Sequence, residues 1–198
     1  MFKYIFLLLI LSFYQPVFST EDTISQAVAR YLTRIHKYME AEDWINAERE
    51  LEQTARRYFK NEDSYERALI NQLYGQFYAM QRDYKNAIPW FEKAIAKGRL
   101  PFAADLQVTY SLAQCYFQTG RYTDVINTLE NYRTKASKRG QNMAPVQLMV
   151  LGIAYFQEQE MLKAYLNIAE ANATSTKLNE EWLQYEFALA VKLEKYDD

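Results

Sequence analysis

The fold of this chain is decided by a stretch that reads ALINQLYGQFYAMQRDYKNAIPWFEKAI and occupies residues 68–95. The same pattern of residues recurs at residues 106–132, as LQVTYSLAQCYFQTGRYTDVINTLENY, and at residues 145–171, as PVQLMVLGIAYFQEQEMLKAYLNIAEA. A less regular copy, VARYLTRIHKYMEAEDWINAERELEQT, begins at Val28. The copies start 40, 38 and 39 residues apart, which predicts an array of about four similar units.

Each copy has the periodicity of two α-helices. In the second copy, apolar residues recur at helical spacing at Phe77, Met80, Tyr84, Ile88 and Phe91. If the first residue of each copy is position 1, positions 1–14 are predicted to form a first helix (the A helix) and roughly positions 18–31 a second (the B helix). Each unit is therefore predicted to be a helix hairpin.

Two glycines fall inside predicted A helices, at position 8 of the second and fourth copies: Gly75 and Gly152. A glycine in a helix interior costs about 1 kcal/mol relative to alanine. We expect the cost to be offset by a close approach of the B helix, through Ala87 or Ala164, to the A helix. At the start of the second hairpin, Asp63 followed by Glu66 predicts a capping box.

The copies resemble the tetratricopeptide repeat (TPR), which carries an L-G-x2-Y pattern followed by A-x3-F. The second copy places Gly75, Tyr78, Ala87 and Phe91 in this register. The resemblance implies an all-α, TPR-like α-solenoid of about four helix hairpins plus a terminal helix. The period exceeds the usual length of about 34 residues, so the connections between units are expected to hold extra residues.

The terminal helix is expected to run from Glu180 to about Leu193, capped by Asn179, as an incomplete fifth repeat from about residue 179. Two interpretations stay open: a capping helix that ends the array, or the beginning of a further hairpin in a longer array. The apolar character of the helix favours the second interpretation.

The first 19 residues are typical of a cleavable secretory signal. Lys3 precedes ten mostly apolar residues, Tyr4 to Phe13, and Val17 and Ser19 suit a cut after Ser19. An uncleaved anchor is the weaker alternative, because spanning a bilayer takes about 20 apolar residues. We therefore expect a signal peptide at residues 1–19, a TPR-like solenoid at residues 20–198, a periplasmic location and no stable membrane span after cleavage.

Composition argues against most enzymes. The chain has one His, one Cys and a net charge of −2, which leaves little for a metal site, a catalytic triad or binding to nucleic acid. Cys115 is expected to be a small core residue and His36 a surface or groove residue. Lys135, Lys138 and Arg139 are predicted to form a small basic loop. No cofactor, metal or catalytic residue is predicted.

The surface left for function is the face formed by positions 2, 5, 9, 12 and 13 of the A helices, which is predicted to line a concave groove. It is nearly uncharged and rich in Gln, Met and aromatic side chains, a composition that suits a bound protein or peptide. The residues expected to contact this partner are Leu32, His36, Met39, Gln72, Gln76, Met80, Tyr110, Gln114, Phe117, Met149, Ile153 and Phe156.

A wider resemblance covers most of the chain beyond residue 19. The sequence Tyr-Glu-Arg-Ala at residues 65–68, the Leu100-Pro101 connection and the late Trp182 helix are similar to exported TPR proteins of Gram-negative bacteria associated with TonB energy-transduction systems. The resemblance implies a non-enzymatic periplasmic adaptor with TonB-system components among its partners. The alternative is a structural or assembly scaffold of the cell envelope that acts through self-association. An enzyme would require a catalytic domain in further C-terminal sequence.

Overall fold

The computed structural model describes residues 26–58 and 63–194, and these residues form nine α-helices. They are α1 (Gln26–Glu40), α2 (Trp44–Tyr58), α3 (Tyr65–Met80), α4 (Tyr84–Ile95), α5 (Phe102–Gln118), α6 (Tyr122–Ser137), α7 (Pro145–Gln157), α8 (Met161–Thr174) and α9 (Glu180–Glu194). The predicted signal peptide and its cut after Ser19 lie outside the described residues.

The helices stack as the repeat predicts. The pairs α1–α2, α3–α4, α5–α6 and α7–α8 each pack as an A helix against its own B helix, each B helix also packs against the next A helix, and α9 packs on α8. The predicted helices are confirmed, although α3 and α5 begin three and four residues earlier than expected, at Tyr65 and Phe102. The expected long connections are also present, at residues 96–101 and 138–144.

The turn inside each hairpin has the same geometry in all four copies. Position 15 has a positive φ in every copy: 54° at Glu42, 61° at Arg82, 73° at Gly120 and 64° at Gln159. This left-handed conformation is favourable for glycine and costs other residues about 1–2 kcal/mol. In three of the four copies a residue other than glycine therefore adopts this strained conformation, which lets the two helices of the hairpin run antiparallel.

Position 8 is a site of close approach between the two helices of a hairpin, as predicted, but the expected contacts are only partly correct. A Cβ atom built on Gly75 would lie 2.5 Å from Cδ1 of Phe91, and one on Gly152 would lie 2.6 Å from Cγ1 of Ile168. Ala164 contributes only its backbone oxygen, 3.2 Å from the same point on Gly152. The glycines thus accommodate the large side chain at position 24 of the B helix.

The predicted capping box of α3 is wrong by one residue. The helix begins at Tyr65, so Ser64 and not Asp63 occupies the N-cap position. The Ser64 side chain accepts a hydrogen bond from the Arg67 backbone N–H at 3.1 Å.

Buried apolar side chains form two clusters along the array. The first joins α1, α2 and α3, with Ile35, Leu51 and Phe77 among its members, and the second extends from α3 to α9. Cys115 lies in the second cluster at 2% exposure, which confirms that it is a core residue. Burial raises the pKa of its thiol to about 12, so the thiol stays protonated at neutral pH.

Candidate protein-binding surface

The predicted groove residues all lie on the A helices, on a face that we call the A-helix surface. Three of the twelve are part of the interior: Met39 is 1% exposed, Met149 3% and Gln72 5%. They occupy positions 5 and 12, where other copies have half-buried residues such as Tyr110 and Phe117. The predicted lining is therefore wrong for these three residues, because their buried side chains are not available for direct contact with a partner.

The other nine predicted residues are half-buried. Leu32 and Met80 pack against the first cluster, whereas four others pack against the second: Tyr110, Phe117, Ile153 and Phe156. Each of these apolar side chains is thus held in place by the core and presents only part of its surface. The assignment of these nine residues to a binding groove stays a prediction.

The A-helix surface is weakly charged. Burial lowers the pKa of His36, and Glu40 opposes this shift only in part, so the imidazole is neutral at pH 7. Burial raises the pKa of Tyr110, so its hydroxyl also stays neutral. Near the C-terminal end, the Lys192 ammonium lies 5.6 Å from the ring centroid of Phe156 and shields one side of that ring. His36 and Tyr110 therefore add no charge to this surface at pH 7.

Polar contacts that were not predicted from the sequence join successive repeats. Tyr116 donates a hydrogen bond to Oε1 of Glu92, and Tyr155 donates one to Oε1 of Glu130 at 3.0 Å. In both pairs, position 11 of one copy contacts position 25 of the copy before it. Burial and the bond to Glu130 raise the pKa of Tyr155 to about 12, so it remains a donor at neutral pH. The recurrence of Glu at position 25 was the signal that could have revealed these contacts.

A cleft of about 380 Å³ surrounds the second of these contacts. Its lining consists of Glu130, Arg133, Tyr155, Lys163, Leu166, Asn167 and Glu170. Arg133 bonds to Asn167 and lies 3.3 Å from Glu130 and 3.7 Å from Glu170. Through these contacts Arg133 joins the third and fourth hairpins. The lining has two cationic and two anionic side chains, so the cleft offers no net charge to a ligand.

Two further observations concern the described residues only. Among them, no three His, Cys, Asp or Glu side chains meet in a way that could hold a metal ion. No helix between residues 26 and 194 that the structure describes has the length and apolar character needed to cross a membrane.

Comparisons with known proteins agree with this architecture. Residues 80–140 match the model of the family described as anaphase-promoting complex, cyclosome, subunit 3. Among curated proteins, no significant relative of the sequence is found.

Several solved structures are similar in fold. MamA (residues 41 to the end) from Desulfovibrio magneticus RS-1 has a TM-score of 0.67 and 16% identity over 88% of this chain and 90% of that chain. PilF of Pseudomonas aeruginosa has a TM-score of 0.65 and 17% identity, with coverages of 86% and 70%. A Podosopora anserina protein with nearly identical TPR-like repeats has a TM-score of 0.61 and 16% identity, with coverages of 84% and 96%.

The helix hairpins, their register and these likenesses define the class of the protein. It is an all-α, TPR-like solenoid, as the sequence predicts.

Proposed function

We propose that the protein is a non-enzymatic adaptor that binds another polypeptide along the A-helix surface. The observation that carries the proposal is the series of half-exposed, uncharged side chains on successive A helices, which includes Gln76, Gln114 and Phe117. Aromatic and apolar groups fixed by a core make good anchors, because little conformational entropy is lost when they bind. Amide side chains between them can bond to a peptide backbone in either direction.

The proposed location is the periplasm, and TonB-system components are the proposed partners. The first rests on the signal-like residues 1–19, and the second on the resemblance of the sequence to exported TPR proteins.

A paired charge substitution tests the adaptor role. In the variant Gln76→Glu with Gln114→Glu, each new carboxylate would be desolvated by a bound partner, which should weaken capture of that partner about tenfold or more. The measurement is quantitative mass spectrometry of periplasmic proteins that are retained by the immobilised full chain. Thermal melting of both chains checks that the variant is folded.

The matched control places the same kind of change on the exposed side of the B helices, as Gln53→Glu with Asn127→Asp. It should retain partners as well as the wild-type chain does. Equal retention by the wild-type chain, variant and control would contradict binding at the A-helix surface. If retention depends on Gln76 and Gln114 but includes no TonB-system protein, the adaptor role stands and the TonB association fails.

One observation favours self-association as a second candidate function. Leu162 and Leu166 lie one turn apart on α8 and are 59% and 55% exposed, although the same positions are Thr123 and Asn127 in the preceding B helix. If copies associate through this pair, light scattering should show a mass that rises with concentration for the wild-type chain and stays monomeric for Leu162→Gln with Leu166→Gln. A monomer at every concentration would contradict a scaffold built by self-association.

A further inference from the structure

The outward side of α8 has an apolar stripe. Its four residues follow one another at intervals of four, three and four along the helix, which places them on one face. They are Leu162, Leu166, Ala169 and Ala173, and we call the surface that they form the α8 stripe. Leu162 and Leu166 are 59% and 55% exposed, Ala173 is exposed and Ala169 is half-buried.

The repeat register shows that this face is open to solvent in every hairpin. The α8 stripe occupies positions 18, 22, 25 and 29 of the fourth copy, and in the first three copies the residues at these positions are exposed, apart from the half-buried Glu130. The helices α2, α4 and α6 are each followed by a further hairpin, yet their residues at these positions stay accessible. A further hairpin stacked onto α8 would therefore leave the α8 stripe accessible as well.

Among the four B helices, α8 alone is apolar along the whole of this face. In the first three copies, nine of the twelve equivalent residues are polar or charged. The twelve residues are Ile45, Arg49, Glu52, Arg56, Lys85, Pro89, Glu92, Ala96, Thr123, Asn127, Glu130 and Thr134. A continuous apolar stripe on a face that is otherwise polar indicates a contact with another macromolecule.

The order of the side chains along the stripe favours a second, antiparallel copy of the same helix. If a two-fold axis passes between residues 167 and 168, Leu162 lies opposite Ala173 of the second copy and Leu166 lies opposite Ala169. Each layer then pairs a large side chain with a small one, so the two helix axes keep an even distance. A parallel pair would set leucine against leucine at one end and alanine against alanine at the other, which would splay the helices.

Charge supports the same arrangement. Lys163 and Glu170 lie on one flank of the α8 stripe, and their midpoint falls within one residue of the same axis. An antiparallel pair therefore brings Lys163 of each copy close to Glu170 of the other. Within one chain Lys163 pairs with Glu160, and Glu170 lies 3.7 Å from Arg133. The Lys163 and Glu170 side chains are nevertheless 57% and 54% exposed, so both can also contact a second copy.

We propose that two copies of the chain associate through an antiparallel pair of α8 helices, with leucine packed against alanine across a two-fold axis. This pairing rests on the self-association described above as a second candidate function, and it specifies the surface and the orientation of the two copies. The helix has 14 residues and is about 21 Å long. Because the contact is short, the dimer is expected to dissociate reversibly on dilution.

Disulfide cross-linking of cysteine variants tests the pairing in the full chain. A mixture of Leu162→Cys and Ala173→Cys should form a cross-linked heterodimer under mild oxidation, because the axis sets residue 162 opposite residue 173. Each variant alone should give almost none, since its two equivalent cysteines would lie about 16 Å apart along the helix axis. The native Cys115 is 2% exposed and lies out of reach. The matched mixture of Thr123→Cys and Thr134→Cys, at the same positions on α6, should not cross-link.

Charge reversal gives an independent test by light scattering. Lys163→Glu and Glu170→Lys should each raise the dissociation constant of the dimer about tenfold, because both pairs between the copies become repulsive. A mixture of the two variants should restore the wild-type affinity, since every such pair in the heterodimer is attractive. Lys85→Glu, the same change at an exposed position on α4, should associate as the wild-type chain does. Thermal melting of each variant checks that it is folded.

The other outcomes would overturn the proposal in distinguishable ways. Efficient cross-linking of Leu162→Cys with itself would show a parallel pair, and a charge-reversed mixture as weak as its components would show that Lys163 and Glu170 do not meet. A chain that dimerises without the cross-link between residues 162 and 173 would overturn the α8 pairing but keep self-association, whereas a monomer at every concentration would overturn both. Gln76→Glu with Gln114→Glu should leave dimerisation unchanged, so the adaptor role can fail independently.

Discussion

Replacing Gly75 by alanine is expected to lower the free energy of unfolding in the native chain but to raise it in a chain whose Phe91 is already alanine. In the native chain the added Cβ would lie 2.5 Å from Cδ1 and 2.8 Å from Cγ of Phe91. Relief of this overlap requires a shift of a ring that is only 1% exposed, and overpacking of this kind costs about 1–3 kcal/mol. The gain in helix propensity, about 1 kcal/mol, is too small to offset the higher part of that range.

The Phe91→Ala chain removes every ring atom that the new methyl group would meet. The substitution by itself should cost about 3–5 kcal/mol, because a large buried side chain is lost. In that background Gly75→Ala keeps its propensity gain and fills part of the cavity, so it should stabilise by about 1 kcal/mol. Urea unfolding of the four chains of this cycle, followed by circular dichroism, gives the sign directly.

Gly152 provides the matched comparison. Its nearest neighbours are Cγ1 of Ile168 at 2.6 Å and the backbone oxygen of Ala164 at 3.2 Å. Truncation of Ile168 removes the first contact but not the second, so Gly152→Ala should be rescued less completely than Gly75→Ala. If Gly75→Ala stabilised the native chain, the close packing of α3 against α4 at this point would be wrong.

The glycine at position 8 shows how far the sequence could lead. Repeats with a fixed period define which residues are equivalent, so a glycine that recurs in a helix interior predicts a close approach without any structure. The identity of the contact was harder to predict. A B helix turns about 100° per residue, and the choice between Ala87 and Phe91 depends on the angle at which the two helices cross. That angle is set by packing over the whole hairpin.

The turn at position 15 shows the opposite limit. Among the four residues at this position, only Gly120 indicates a left-handed backbone from its residue type. Glu42, Arg82 and Gln159 are ordinary helix formers. Their conformation is imposed by the two helices that they connect. Local propensity therefore contains no signal for it, and only the alignment of the four copies shows that the positions are equivalent.

The placement of the twelve residues on A helices could be predicted, but their exposure could not. Register correctly places the twelve residues on A helices, but the depth of each side chain depends on how the next hairpin is stacked. Gln72 and Tyr110 both occupy position 5, yet Gln72 is 5% exposed whereas Tyr110 is half-buried. The two junctions between hairpins therefore differ in detail, although the repeat pattern is the same.

The predicted basic loop near residue 139 is largely engaged with the neighbouring helix. Lys135 Nζ lies 2.6 Å from Oδ2 of Asp105, and the Arg139 guanidinium lies 5.0 Å from the ring centroid of Phe102. Lys135 lies in the last turn of α6 and not in a loop, whereas Arg139 follows the end of the helix. Both residues contact the first turn of α5. The basic residues thus help to pack α6 against α5 in the third hairpin. The sequence could not show the ion pair, because Lys135 and Asp105 are 30 residues apart.

Lys135→Met is expected to destabilise the chain by about 2 kcal/mol, because it leaves the Asp105 carboxylate without its cation. The Asp105 side chain is only 11% exposed, so water can replace the lost contact only poorly. The Lys135 side chain is 33% exposed, so the loss of its own packing adds less to the destabilisation. Lys138→Met, a change of the same kind at an exposed position on the same helix end, should alter the unfolding free energy by less than about 0.5 kcal/mol. The double change Asp105→Leu with Lys135→Met should recover most of the loss, since a buried ion pair often exchanges for an apolar pair at little net cost. Urea unfolding of the wild-type chain, Asp105→Leu, Lys135→Met and the double variant measures the coupling. Equal effects of Lys135→Met and Lys138→Met would show that the ion pair does not hold α5 and α6 together.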